Sequence, residues 1–113
     1  MRELTGPEAV ALAQAQAVRA APLVLLDVRE PWEVALAAID LPGATTRMMP
    51  MREVPARLSE LDAAQPVLCF CHHGARSAQV VAFLERSGFA SAYNLAGGID
   101  AWSRDVDPGV PRY

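Results

Sequence analysis

Lysine is absent from this sequence, and all ten basic residues are arginine. They are scattered from Arg2 to Arg112 without a run or stripe that could follow a phosphate backbone, which argues against nucleic-acid binding. With the many alanines and prolines, the missing lysine reads as codon usage in a GC-rich genome, not as function. No apolar run approaches the ~20 residues that cross a bilayer. The N-terminal Met1-Arg2-Glu3-Leu4-Thr5-Gly6 also lacks the charged-then-apolar layout of a signal peptide. A cytoplasmic protein without membrane association is therefore expected. Cysteine is scarce: Cys69 and Cys71 stand two apart on one extended segment, at the limit of disulfide geometry, and would close no useful loop. Two free thiols in a reducing compartment are the expectation.

What is present suits a single domain: 113 residues, 52% hydrophobic, with a formal charge of only −3. Thr5 followed by Glu8 forms a capping box that opens an alanine-rich helix to about Arg19, with a short strand possible before it at Arg2 to Leu4. Leu23-Val24-Leu25-Leu26 and, after Pro66, Val67 to Phe70 are continuously apolar. That is the pattern of strands buried on both faces, as in a parallel sheet. Between them, Pro31 suits the first turn of a helix over Trp32 to Ala38, and Leu41-Pro42-Gly43-Ala44 turns into another short strand. Pro50 and Pro55 bracket a broken helical region that resumes from Ala56 to Leu61. A helix from about Ser77 to Ser87 stops at Gly88. Ala92 to Leu95 reads as a last strand, Gly97-Gly98 as a turn, and Ile99 to Arg104 as a final helix. Asp105 to Tyr113, with Pro108, Gly109 and Pro111, reads as an extended surface tail.

The chemistry concentrates in Phe70-Cys71-His72-His73-Gly74-Ala75-Arg76-Ser77. Ligands of open parallel α/β sheets bind beyond the carboxyl ends of the strands, which puts Asp27 and Cys71 on one rim. Gly74 allows a left-handed or closely packed backbone, so the loop can curl with its N–H groups inward as an anion nest. The helix start near Ser77 and the Arg76 guanidinium add positive charge. Such surroundings lower a cysteine from ~8.5 to roughly 3.5–7.5. The same cradle would hold a persulfide on Cys71 or an oxyanion delivered to it. Four residues separate Cys71 from Arg76, one fewer than in the protein tyrosine phosphatase signature, and the tighter loop suits a terminal sulfur better than a phosphocysteine.

Together, Leu26-Asp27-Val28-Arg29-Glu30, Pro42-Gly43-Ala44, the Cys71 to Ser77 loop and Asn94-Leu95-Ala96-Gly97-Gly98-Ile99-Asp100-Ala101-Trp102 resemble a single-domain rhodanese over nearly the whole chain. The resemblance implies an α/β fold with a central five-stranded parallel sheet and helices on both faces. The rhodanese domain would span residues 1–104, with 105–113 as an extended tail of the same domain. It also implies a sulfurtransferase in which Cys71 takes the outer sulfur of a donor such as thiosulfate and passes it to cyanide or a thiol.

In that reading His72, His73, Gly74, Ala75, Arg76 and Ser77 form the persulfide-binding loop, with Arg76 attracting the donor or bracing the loop. Asp27 and Arg29 brace the rim by ion pairing. No metal or organic cofactor is expected, the persulfide itself being the covalent intermediate, and the partners are a small anionic sulfur donor and a thiol or protein acceptor. Cys69 reads as core, Ser77 as a hydrogen-bonding residue and not a nucleophile, and Trp32 and Trp102 as core or rim packing. The His72-His73 pair either tunes donor preference or stands by. Ile39-Asp40-Leu41, where many rhodaneses have Gly-His-Ile, and a longer Thr45 to Met49 segment depart from the pattern at one edge. A small phosphatase or arsenate reductase on a related fold and a non-enzymatic sulfur carrier or interaction module are the alternatives.

Overall fold

The computed structural model describes residues 1–19 and 21–113. Its five strands are β1 (Arg2–Leu4), β2 (Leu23–Asp27), β3 (Ala44–Met48), β4 (Val67–Phe70) and β5 (Ala92–Leu95), all parallel in the order β1-β5-β4-β2-β3. Sequence character sets that order. Every residue of β2 and β4 is buried and both lie inside the sheet, whereas β1 and β3 expose side chains and form its edges.

Alternate residues of the inner strands feed two separate cores. Leu23, Leu25, Leu68 and Phe70 meet Ala9 and Ala13 of helix α1 (Gly6–Ala17) and Ile99 and Trp102 of helix α4 (Gly98–Asp105). Val24, Leu26, Val67 and Cys69 meet Val80, Val81 and Leu84 of helix α3 (Ala75–Arg86) on the other face. The period of two along each strand makes this partition. Each fully buried aliphatic side chain stabilises the fold by about 1.5–3 kcal/mol.

The Thr5 capping box forms as expected: Thr5 Oγ1 accepts from the Glu8 amide at 3.3 Å, and Glu8 Oε1 accepts from the Thr5 amide at 2.8 Å. Helix α1 nevertheless ends at Ala17, short of Arg19. Helix α2 (Pro31–Leu36) stops before the expected Ala38, because Ala37 is extended and its carbonyl is taken by the Arg29 guanidinium at 2.8 Å. The broken region between Pro50 and Pro55 holds one 3-10 turn, Met51–Glu53, and the helix expected from Ala56 to Leu61 is replaced by a second, Leu58–Glu60. Helix α3 starts at Ala75, two residues before the expected Ser77, because Gly74 in a left-handed conformation (φ 109°) caps it. The segment after α4 folds back: the Val110 amide bonds the Asp107 carbonyl, Val110 is buried against the α1/α4 core, and Tyr113 reaches the rim of the sheet. No helix of the described residues is long and apolar enough to cross a membrane.

Candidate active site

β4 delivers Cys71 to the carboxyl edge of the sheet, where the chain leaves the strand and enters α3 within four residues. The loop between them is shaped from outside. The N-terminal amides of α4 take its carbonyls, Ile99 N donating to Cys71 O at 3.0 Å and Asp100 N to His72 O at 3.2 Å. With these carbonyls drawn outward, N–H groups turn toward the sulfur: Gly74 N lies 3.1 Å and Ser77 N 3.4 Å from Cys71 Sγ. Gly98 makes this docking possible, since a Cβ there would stand 2.4 Å from His72 O and 2.5 Å from Cys71 O.

Burial is the strongest single influence on the Cys71 thiol and pushes its pKa up. The Ser77 hydroxyl together with the Ser77, Gly74 and Arg76 amides outweighs it, and the net shift is downward. The hydroxyl's share is limited by its one proton. Asn94 Nδ2 donates to Gly74 O at 3.1 Å and to Glu3 Oε2 at 3.2 Å, so Asn94 Oδ1 is the acceptor for Ser77 Oγ, 2.6 Å away. Ser77 Oγ is 3.4 Å from the sulfur. The shorter contact holds the proton, and the amides carry most of the stabilisation of a thiolate. Cys69, two residues earlier and fully buried, is pushed the other way by burial and then by its proximity to Cys71.

Two arginine pairs frame the loop. Arg29, wholly buried, donates to Asp27 through Nε at 2.9 Å and Nη2 at 2.8 Å, and lies over the Phe70 ring at 5.1 Å. Through Ala37 O and the Tyr113 hydroxyl, 3.2 Å from Nη1, it ties β2, the end of α2 and the terminal segment together. Arg76 does not point at Cys71. Its guanidinium grips Glu33 of α2 in a two-pronged pair, 2.7 Å on each arm, and Glu33 also accepts from the Tyr113 hydroxyl at 3.1 Å. Hydrogen bonding to Arg76 holds the Glu33 carboxyl at about 2 in spite of its burial.

His72 is sandwiched between His73 and Tyr113, each ring 3.9 Å away, with its Nε2 buried and unpartnered. Trp32 stands exposed at the rim, edge-on to Tyr113 at 6.3 Å, whereas Trp102 is core. The ligand atoms of His72, His73 and Asp100 fall within 4.8 Å of one another. Asp100, however, is held by Arg112 at 3.0 and 3.1 Å, and stacked imidazoles direct their lone pairs side by side instead of toward one metal.

Of the loop residues singled out from sequence, Gly74, Arg76 and Ser77 bring amides to the sulfur. Ala75 serves as the first residue of α3. Glu33, Asn94 and Tyr113 were not singled out for a role in the site. They reach it from 43, 17 and 80 residues away respectively, as partners of Arg76, Ser77 and Glu33.

A parallel α/β sheet that presents a thiol in a short strand-to-helix amide cradle defines a class of cysteine-centred domains. This chain belongs to the rhodanese-like domain family, whose profile matches residues 9–105. It is 41% identical over 93 residues to Rhodanese-like/PpiC domain-containing protein 12, chloroplastic, of Arabidopsis thaliana, covering 79% of this chain and 30% of that longer protein. It is 40% identical over 82 residues to a protein of Allochromatium vinosum named sulfurtransferase, covering 73% of each. The crystal structure of a rhodanese-like domain protein from Staphylococcus aureus superposes with a TM-score of 0.73 at 30% identity, covering 100% of this chain and 99% of that one.

Proposed function

We propose that this chain is a sulfurtransferase that carries sulfane sulfur as a persulfide on Cys71. The observation that carries the reading is the inward set of amides on Cys71 Sγ, made possible by α4 holding the loop's carbonyls. The Cys71 thiolate attacks the outer sulfur of a small anionic donor such as thiosulfate. A Cys–S–S bond forms, the donor's S–S bond breaks, and its electron pair leaves with sulfite. The loop amides then face the anionic outer sulfur of the persulfide. An acceptor, cyanide or a small or protein thiol, attacks that sulfur, and the pair of the cleaved bond returns to Cys71 as thiolate. Asp27 and Arg29 keep the rim in place throughout. The cycle needs no metal or organic cofactor and suits the reducing cytoplasm, where the thiol stays free.

Intact-mass and peptide analysis after incubation with thiosulfate tests this. One added sulfur on the Cys71 peptide, removed by cyanide and absent in Cys71→Ser, is expected. No adduct with any sulfane donor, or robust turnover of an aryl phosphate that Cys71→Ser abolishes, would overturn it.

A further inference from the structure

The charges around Cys71 bear on which donor the site takes, an inference that rests on the sulfurtransferase reading. Arg29 is bound to Asp27, Arg76 to Glu33, Arg112 to Asp100, and Arg52 to Glu30. Among the described residues around the loop, every arginine is thus matched by a carboxylate. Glu33 is the decisive partner, because it is buried behind Arg76 and poorly screened by water. The protein as a whole carries −3, and a thiolate on Cys71 would add to that. What the site offers an approaching donor is therefore short-range: amide N–H groups, and a wall made of Trp32, Tyr113 and His72.

We infer that Glu33 sets donor specificity, turning the site away from the thiosulfate dianion and toward donors of one negative charge with an organic substituent, such as thiosulfonates and small-thiol persulfides. A thiosulfonate, R–SO2–S⁻, undergoes the same displacement: the Cys71 thiolate bonds to the outer sulfur, the S–S bond breaks, and the electron pair leaves with R–SO2⁻. One negative charge fewer approaches the site, and the substituent meets the aromatic wall.

The experiment compares kcat/KM for thiosulfate and benzenethiosulfonate at one pH, from low to physiological ionic strength, for the unaltered protein and for Glu33→Gln. The ratio of the two donors cancels any change in the thiolate fraction of Cys71. In the unaltered protein, benzenethiosulfonate is expected to be the better donor, and the thiosulfate rate should stay flat or rise with salt. Glu33→Gln should raise the thiosulfate-to-benzenethiosulfonate ratio by roughly tenfold, as the Arg76 charge is uncovered. A thiosulfate rate that falls steeply with salt in the unaltered protein would overturn the inference without any variant. So would an unchanged ratio in a Glu33→Gln protein that keeps its circular dichroism and its Cys71 adduct. Either result would leave the sulfurtransferase reading standing, whereas failure of these two donors and of a small-thiol persulfide to load Cys71 would remove both.

Discussion

Cys69 and Cys71 are separated by one residue, are both buried, and are driven in opposite directions. Cys69 sits inside β4 with its side chain among Val24, Val80 and Val81, and burial holds it as a neutral thiol. Cys71 sits one step beyond the strand's last residue, where backbone amides no longer pair in the sheet and can turn to the sulfur. Burial raises both thiols, and only the loop supplies donors to reverse it. The difference lies in where the strand ends: a strand commits its amides to neighbouring strands, and a strand-to-helix loop releases them.

The most direct way to break the comparison is to remove each sulfur in turn. Cys71→Ser should abolish sulfur loading and reduce sulfane transfer by roughly a thousandfold or more, while leaving the fold intact. Cys69→Ala should keep transfer within about threefold and cost roughly 1–2 kcal/mol of stability through the cavity it leaves. Peptide mass after donor treatment and urea unfolding measure the two effects. Loading on Cys69, or a comparable loss of transfer in both variants, would make the strand thiol part of the chemistry.

The loop itself can be spoiled from α4. Gly98→Ala places a methyl group against the Cys71 and His72 carbonyl oxygens at a left-handed φ of 61°. It should cost more than about 2 kcal/mol and raise the Cys71 pKa as the carbonyls are released. Gly88→Ala is the matched control, also at positive φ (95°) but with no atom within 4 Å of the added methyl. It should cost only about 1 kcal/mol and leave the Cys71 pKa in place. Equal thiol pKa values in the two variants would show that α4 does not shape the loop.

These contrasts separate what can be read locally from what cannot. The buried strands were legible because four successive apolar residues, Leu23 to Leu26 before Asp27 and Val67 to Phe70 before Cys71, leave no wet face. Gly74 announced the turn into α3, though reading Ser77 as the helix start overlooked that Gly74 itself is the cap. The middle of the chain misled because Pro50 and Pro55 permit helical turns without fixing how many join, and the result was two 3-10 turns. Arg76 was found as a charge near the cysteine, yet its partner was not. Glu33 lies 43 residues away on a helix that sequence places only approximately, and nothing local distinguishes a glutamate aimed inward from a solvated one. Tyr113 was hidden for a further reason. A segment with Pro108, Gly109 and Pro111 has no periodicity to report, and what turns it back toward the rim is the burial of Val110 together with the long-range bonds of Arg112 to Asp100 and of Tyr113 to Arg29 and Glu33.

A smaller effect sharpens the thiol comparison through pH. The folded pKa of Cys71 is depressed, so its contribution to stability is complete above the unfolded value of ~8.5 and is lost as pH falls through the folded value. The folded pKa of Cys69 is raised, so its contribution is complete below ~8.5 and is lost as pH rises toward the folded value. Above that pH the unaltered protein should therefore lose stability faster than Cys69→Ala, by about 1.4 kcal/mol per pH unit. Urea unfolding under reducing conditions measures the difference. Parallel curves for the two proteins would mean that Cys69 ionises freely in the fold.

The smallest expected effect concerns the Ser77 hydroxyl. With Asn94 Oδ1 at 2.6 Å and Cys71 Sγ at 3.4 Å, its single proton belongs to the amide oxygen. Ser77→Ala should then shift the Cys71 pKa by less than about half a unit, read from thiolate ultraviolet absorbance in a Cys69→Ala background. The same change leaves Asn94 Oδ1 without its donor and should cost about 1–2 kcal/mol of stability. The two readouts separate because Ser77 braces the loop through Asn94, while the sulfur takes its donors from the backbone. A rise of more than about one unit would mean that the hydroxyl turns to the thiolate when the proton leaves, and that a side chain shares with the amides in making Cys71 unlike Cys69.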